Sequence, residues 1–158
     1  MKRTPSTAAL DTNLLLLYLV GITDQSLLIT FKRVSTFEAP DIATLIKLLG
    51  KFQKLITTPH ILAEASNFLT QAPQHRRREL MASLRRFAEA HQEAYQAAKE
   101  LVTRDEFSAL GLADTGLAAL SAEAAVLTTD YHLWGRITSQ GGHCVNFYHL
   151  RSSELLSG

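Results

Sequence analysis

The sequence lacks the features that would assign a protein class immediately. Cys144 is its single cysteine, which excludes an internal disulfide framework and is typical of a cytoplasmic protein. No apolar run approaches the roughly 20 residues of a membrane-spanning helix, so no membrane partner is expected. Sixteen Lys and Arg nearly balance fifteen Asp and Glu, so any nucleic-acid partner must be bound by local basic patches.

What is present is an ordinary globular composition, 46% hydrophobic and 20% charged, over 158 residues. That length suits one domain covering residues 1–158. Short apolar runs predict strands near 8–11, 54–57, 125–129 and 145–149, separated by helical patterns. The order predicts an α/β fold: a parallel sheet of about four to five strands, covered by helices on both faces.

Local signals give finer boundaries. Gly21 is expected to end the first helix, and Asp41 to cap the helix over residues 42–52. Thr58 as cap and Pro59 at the first helical position are expected to open the helix after the second strand.

Two further helices are expected before the third strand. Residues 91–103 are expected to continue the long helix that begins at Gln74. Asp105 is expected to cap the next one, which runs through Gly111 to Glu123.

Four acids stand where such a fold would direct them to one cleft. Asp11 and Asp130 follow strand-like runs, and ligand clefts of parallel sheets lie beyond the carboxyl ends of the strands. Glu64 lies at the border of an apolar helical stripe, and Asp114 shares a helix face with Leu117. Acids gathered in this way repel one another unless a divalent cation neutralises them, which predicts metal-dependent phosphodiester chemistry.

Each acid also has a simpler interpretation. Asp11 and Asp130 could cap the helices that follow them. Glu64 could be a solvated helix glutamate, and Asp114 would face solvent if the helix had a different phase. The joint placement of all four favours the cleft over four separate explanations.

The segments around these acids resemble the PIN-domain nucleases. In chain order they are Ala9-Leu10-Asp11-Thr12-Asn13, Thr57-Thr58-Pro59-His60-Ile61-Leu62-Ala63-Glu64, Gly111-Leu112-Ala113-Asp114 and Leu127-Thr128-Thr129-Asp130. The ordered set, from about Leu10 to Tyr148, is fairly specific, whereas each segment alone is weak. The resemblance implies a three-layer α/β/α fold.

The resemblance also implies an activity, a divalent-metal-dependent endoribonuclease that hydrolyses RNA phosphodiester bonds. The implied catalytic and metal-binding acids are Asp11, Glu64, Asp114 and Asp130, which would hold Mg²⁺ or Mn²⁺, with Asn13 and Thr128 as accessory polar groups. Many members of that family are ribonucleases, including VapC-type toxins of toxin–antitoxin pairs, so an antitoxin protein and a homodimer are implied partners. The extra sequence between Ile22 and Pro40 departs from the short toxins, which leaves a housekeeping nuclease as a second expectation.

The densest basic stretch is a candidate RNA-binding surface. Arg78, Arg85 and Arg86 fall on one side of a predicted helix, where they could guide phosphates or form a plain solvated face. Two other functions stay open beside the ribonuclease. One is a catalytically silent PIN-like module that binds RNA or a partner protein, and the other is a DNA-directed nuclease of the same fold.

Overall fold

The computed structural model describes residues 3–151 and contains a five-stranded, all-parallel sheet with the order β3-β2-β1-β4-β5. The strands are β1 (Thr7–Leu10), β2 (Lys54–Thr57), β3 (Gln92–Glu93), β4 (Ala125–Thr128) and β5 (Cys144–Asn146). The central pair, β1 and β4, is almost wholly buried. Burial on both faces explains why these strands are continuous apolar runs.

Helices connect and cover the strands. They are α1 (Thr12–Thr23), α2 (Leu27–Thr30), α3 (Ala39–Leu49), α4 (Pro59–Leu69), α5 (Gln74–Ala90), α6 (Ala98–Leu101), α7 (Phe107–Leu120) and α8 (Tyr131–Ser139). A 3₁₀ turn covers Lys32–Val34, and residues 147–151 are helical. Within residues 3–151, no helix has the length and apolarity to cross a membrane.

The helices form two layers. Helix α1 packs against α3, α4 and α5, whereas α8 packs against α7 and β5. Connections between parallel strands are right-handed in nearly all proteins. In this sheet β2 and β3 lie on one side of β1, whereas β4 and β5 lie on the other side. The two helix groups therefore cover opposite faces, and the fold is the expected three-layer α/β/α arrangement.

Helix α1 is the centre of the core. Its buried apolar side chains are Leu14, Leu15, Leu16, Leu17, Leu19 and Val20, each 0% exposed. Burying a leucine contributes roughly 1.5–3 kcal/mol, so this helix is strongly anchored. Its first turn is therefore held firmly against the carboxyl end of β1.

The prediction that Gly21 ends the first helix is wrong, because α1 continues to Thr23. Gly21 instead allows α3 to approach α1 closely. A Cβ atom at Gly21 would lie 2.6 Å from Cγ2 of Ile42, which is too close for any other residue without movement of the neighbour. The glycine marks a helix crossing.

The prediction that Asp41 caps the next helix is also wrong. Helix α3 begins at Ala39, with Glu38 at the cap position. Asp41 lies in the first turn, where its Oδ2 accepts from the Glu38 N–H at 2.8 Å. Its Oδ1 accepts from Nε of Arg151 at 2.9 Å, which ties the helical residues 147–151 to α3.

The expected helix over residues 91–103 is interrupted. Gln92–Glu93 form the edge strand β3, which pairs with β2 through Ile56↔Gln92 and Thr57↔Glu93. The open edge of β2 offers backbone donors and acceptors, and pairing with them overrides helix propensity. Only α6 remains helical in this stretch of the chain.

The last strand is shorter than the predicted 145–149, because β5 ends at Asn146. The Asn146 Oδ1 accepts from the Tyr148 N–H at 3.0 Å, and this local bond turns the chain into the helical residues 147–151.

Asp105 does not cap α7, because Glu106 holds the cap position. A break inside this helix is more consequential. Gly111 has φ 80° and ψ 176°, so residues 107–110 and the rest of α7 are two helical pieces. Asp114 therefore lies in the first turn after the break.

Candidate functional site

The carboxyl ends of β1 and β4 meet at the point where the strand order reverses. Parallel sheets open a ligand crevice there, because the following connections leave to opposite faces. Asp11 follows β1, and Asp130 follows β4 after one residue. The Asp11 N–H donates to the Leu127 carbonyl at 2.9 Å, which extends the pairing of the two strands into the crevice.

Asp11 is held by three donors. Its Oδ1 accepts from the Leu14 N–H at 2.8 Å, and its Oδ2 accepts from the Thr128 hydroxyl at 2.6 Å and the Thr129 N–H at 3.0 Å. Burial raises the pKa of Asp11, the three hydrogen bonds oppose that rise, and repulsion from Asp130 adds to it. Asp11 is therefore a rigid carboxylate.

Asp130 caps α8. Its Oδ1 accepts from the N–H groups of His132 and Leu133 at 2.7 and 3.1 Å, and its own N–H donates to the Thr128 hydroxyl at 2.9 Å. Helix capping by Asp11 and Asp130 is thus confirmed. It leaves Oδ2 of Asp130 without a donor among residues 3–151.

Glu64 comes from α4, whose beginning matches the prediction. The Thr58 hydroxyl accepts from the Ile61 N–H at 3.1 Å, and Pro59 is the first helical residue. Helix α4 packs against α7, and this contact brings Glu64 within electrostatic range of Asp114.

Asp114 has a strongly raised pKa. Burial and then the charges of Asp11, Asp130 and Glu64 raise its pKa from 3.8 to about 7. The side chain is half-buried, so the solvent-facing interpretation does not hold. Acids from two strand ends and two helices therefore converge on one region and repel one another.

The donor chemistry fits a hard divalent cation, because all four groups are carboxylates and their charges are uncompensated. Within residues 3–151, no three His, Cys, Asp or Glu side chains stand close enough to hold an ion as they are placed. Coordination by three or more of these groups would therefore require the carboxylates to rearrange. Both oxygens of Asp11 are already bound by protein donors.

A pocket of about 660 Å³ opens beside the acids. Asn13, the expected accessory residue, is exposed and lines it together with Thr129 and Asp130. The rest of its lining is Phe31, Lys32, Arg33, Thr36, Gln71 and Tyr148. Sequence reasoning missed this second group because the segment before α3 has no periodicity; its adjacent cations, Lys32 and Arg33, were the available signal.

The candidate RNA-binding arginines lie on α5 and do not line this pocket. Arg85 donates to Glu89 at 2.7 Å, and Arg86 donates to the Ser83 hydroxyl at 3.1 Å. Arg78 is exposed. The structure therefore places these three side chains away from the pocket beside the acids.

No protein-family model matches the chain, and no curated protein matches it.

Proposed function

We propose that this protein is a cytoplasmic, divalent-metal-dependent endoribonuclease of the PIN-domain type. One observation carries the proposal. Four carboxylates that follow β1 and β4 or lie on α4 and α7 come together at the switch point of a parallel sheet, where burial and the charges of the other three raise the pKa of Asp114 to about 7. Capping explains Asp11 and Asp130 singly, but it gives no reason for Glu64 and Asp114 to approach them.

Asp11, Glu64, Asp114 and Asp130 would hold Mg²⁺ or Mn²⁺. Such an ion, when bound, supplies Lewis-acid stabilisation of negative charge on the phosphodiester and lowers the pKa of the attacking water. Asp11 would contribute a carboxylate of fixed orientation, because three hydrogen bonds hold it in place. Asp130 would contribute its second oxygen, and Glu64 would contribute a carboxylate from α4.

Accessory groups would position the substrate. Thr128 keeps Asp11 and the Asp130 backbone in register through its hydroxyl. Asn13 is exposed and lines the same pocket as Asp130, where its side-chain amide can donate to a phosphate oxygen. Because the reaction is hydrolysis by water, no nucleophilic side chain is needed.

A toxin role is one form of this proposal. The partner would then be an antitoxin protein that covers the acidic cleft, and the enzyme would act as a homodimer. Expression without the antitoxin should arrest growth, whereas the Asp114→Asn protein should be tolerated. Normal growth with the active protein would instead favour a housekeeping nuclease.

A catalytically silent module that binds RNA or a partner protein is the second candidate. The spacing of the acids favours it, since within residues 3–151 no three ligands stand close enough to hold an ion. A DNA-directed nuclease would use the same acids, and competition between single-stranded RNA and DNA distinguishes the two substrates.

The deciding experiment is cleavage of labelled single-stranded RNA with Mn²⁺, with chelator, and with Asp114→Asn. Asp105→Asn is the matched control, because Asp105 is exposed and lies outside the cluster. Cleavage that needs both Mn²⁺ and Asp114, and survives in the control, supports the proposal. A folded protein that never cleaves RNA would overturn it in favour of the silent module.

A further inference from the structure

Arg33 is a cation fixed in position without an acidic partner. Its guanidinium carbon lies 3.6 Å from the centre of the Phe68 ring, and its Nε donates to Oε1 of Gln71 at 3.3 Å. Within residues 3–151 no carboxylate pairs with Arg33, in contrast to Arg76 and Arg104, which bind acids. Its terminal nitrogens therefore remain available to an outside anion.

Ordering this side chain lowers the cost of binding. A free arginine loses rotamer entropy when it is fixed, and stacking on Phe68 has already imposed part of that order. A planar guanidinium also matches two oxygens of a phosphate in a fork geometry. Lys32, exposed beside it, adds a second positive charge to the same pocket.

The position of Arg33 links it to the candidate catalytic acids. Phe68 lies four residues after Glu64 on α4, so the two side chains share a helix face about 6 Å apart along the axis. Lys32 and Arg33 line the same pocket as Asn13 and Asp130. The pocket therefore combines two cations with one of the four candidate acids.

We infer that Lys32 and Arg33 form a subsite for a backbone phosphate of a single strand, next to the phosphate that the acids would cleave. This inference rests on the proposed nuclease function for its orientation. The ligand is a phosphodiester strand, which RNA and DNA both provide. The subsite would hold the strand so that its neighbouring phosphate lies near Asp130, which lines the same pocket.

The test is binding of fluorescent single-stranded RNA in chelator at several salt concentrations. The Lys32→Gln/Arg33→Gln double variant should bind more weakly and reduce the magnitude of the salt slope by about 0.7, the contribution of one single-strand phosphate contact. Lys51→Gln/Lys54→Gln removes the same charge from exposed positions at the amino end of the sheet, and should leave affinity and slope near those of the natural protein.

Arg33→Lys separates charge from preorganisation. It should keep the salt slope but weaken binding, because lysine lacks the planar group that stacks on Phe68 and forks onto phosphate. Matching losses for RNA and DNA identify any phosphodiester strand as the ligand, and a loss confined to RNA identifies RNA. Equal losses in both double variants, or none in either, would overturn the subsite. The subsite would also be overturned if a polyglutamate peptide competed for Arg33 more strongly than RNA does. That result would indicate an acidic protein as the ligand instead.

Cleavage with Mn²⁺ distinguishes failure of the subsite from failure of the nuclease. Unchanged cleavage and binding in the Lys32→Gln/Arg33→Gln variant would leave the nuclease and remove the subsite. Loss of strand binding in that variant, in a protein that never cleaves, would leave the subsite and remove the nuclease.

Discussion

Thr128 couples two acids that come from different parts of the sheet edge. It is 0% exposed, and its hydroxyl donates to Asp11 while accepting from the Asp130 N–H. Neither bond is part of the helix caps. A single buried hydroxyl therefore sets the relative position of the two strand-end carboxylates.

Thr128→Val removes this coupling with almost no change in shape. We expect the free energy of unfolding to fall by about 1–3 kcal/mol, because the Asp130 N–H and Oδ2 of Asp11 lose a partner. Cleavage should fall roughly ten- to a hundredfold, as for other groups that orient ligands. Urea denaturation and the RNA assay measure the two effects.

Thr138→Val is the control for Thr128, since its exposed hydroxyl bonds only within α8. It should change stability by no more than about 0.5 kcal/mol. A Thr128→Val protein as stable and active as this control would show that the hydroxyl has no positioning role.

Asp114 should make stability depend on pH. Its folded pKa, about 7, lies above the unfolded 3.8, so the folded state binds more protons between these values and stability falls as pH rises through that window. The charges that face it are those of Asp11, Asp130 and Glu64.

Asp114→Asn removes this dependence. In chelator, the variant should be more stable than the natural protein at pH 8, by roughly 1–3 kcal/mol after allowance for solvent, and the difference should shrink towards pH 4. Denaturation at both pH values measures it. A difference of the same size at pH 4 and pH 8, or one seen equally in Asp105→Asn, would contradict the assignment.

The break in α7 decides where Asp114 stands. Gly111 takes φ 80° and ψ 176°, a region open essentially to glycine alone. A helix continued without a break would carry Asp114 in a different direction. The break was not predictable from periodicity, because the apolar residues on each side of Gly111 fit one continuous helix.

Gly111→Ala tests the break without a steric clash, since a Cβ there meets nothing within 4 Å. The cost is backbone strain of about 1–3 kcal/mol, and cleavage should fall because Asp114 shifts. Gly135→Ala is matched, because its Cβ also meets nothing but the site lies inside α8. That control should gain about 0.5–1 kcal/mol. Thermal melting of both variants gives the comparison, and a stabilised Gly111→Ala would refute the strain.

The elements that sequence predicted well are those with local signals. Thr58 and Pro59 mark the start of α4 through a side-chain cap and a fixed backbone angle, both of which are properties of adjacent residues. Strand β3 carries no such signal, because Gln92 and Glu93 become a strand only by pairing with β2. Gly21 was misinterpreted because its partner, Ile42, is distant in sequence.

The sheet as a whole explains how much of the site was foreseeable. Parallel strands end at one edge, so acids after β1 and β4 had to be neighbours once the fold class was inferred. Arg33 was not foreseeable in the same way, because its place depends on Phe68 and Gln71 across the pocket. The position of the acids after β1 and β4 can be predicted from the strand order. The position of Arg33 depends on tertiary packing.

Metal-linked stability tests the fold and the acids together. At a hundredfold excess of Mn²⁺ over its dissociation constant, binding stabilises the folded state by about 2.7 kcal/mol, or roughly 5–10 °C in Tm. Asp114→Asn should lose most of this shift, and Asp105→Asn should keep it. Melting curves unaffected by Mn²⁺ or Mg²⁺ would indicate that the acids do not bind metal.

The hydrogen bond between Thr128 and Asp11 joins residues 117 positions apart in the chain. During synthesis, Asp11 leaves the ribosome long before the strand that completes its surroundings. The crevice can form only after β4 has emerged and inserted beside β1. The proposed nuclease activity would therefore arise only after most of the chain has been translated, and this order of events would spare the ribosome that makes it.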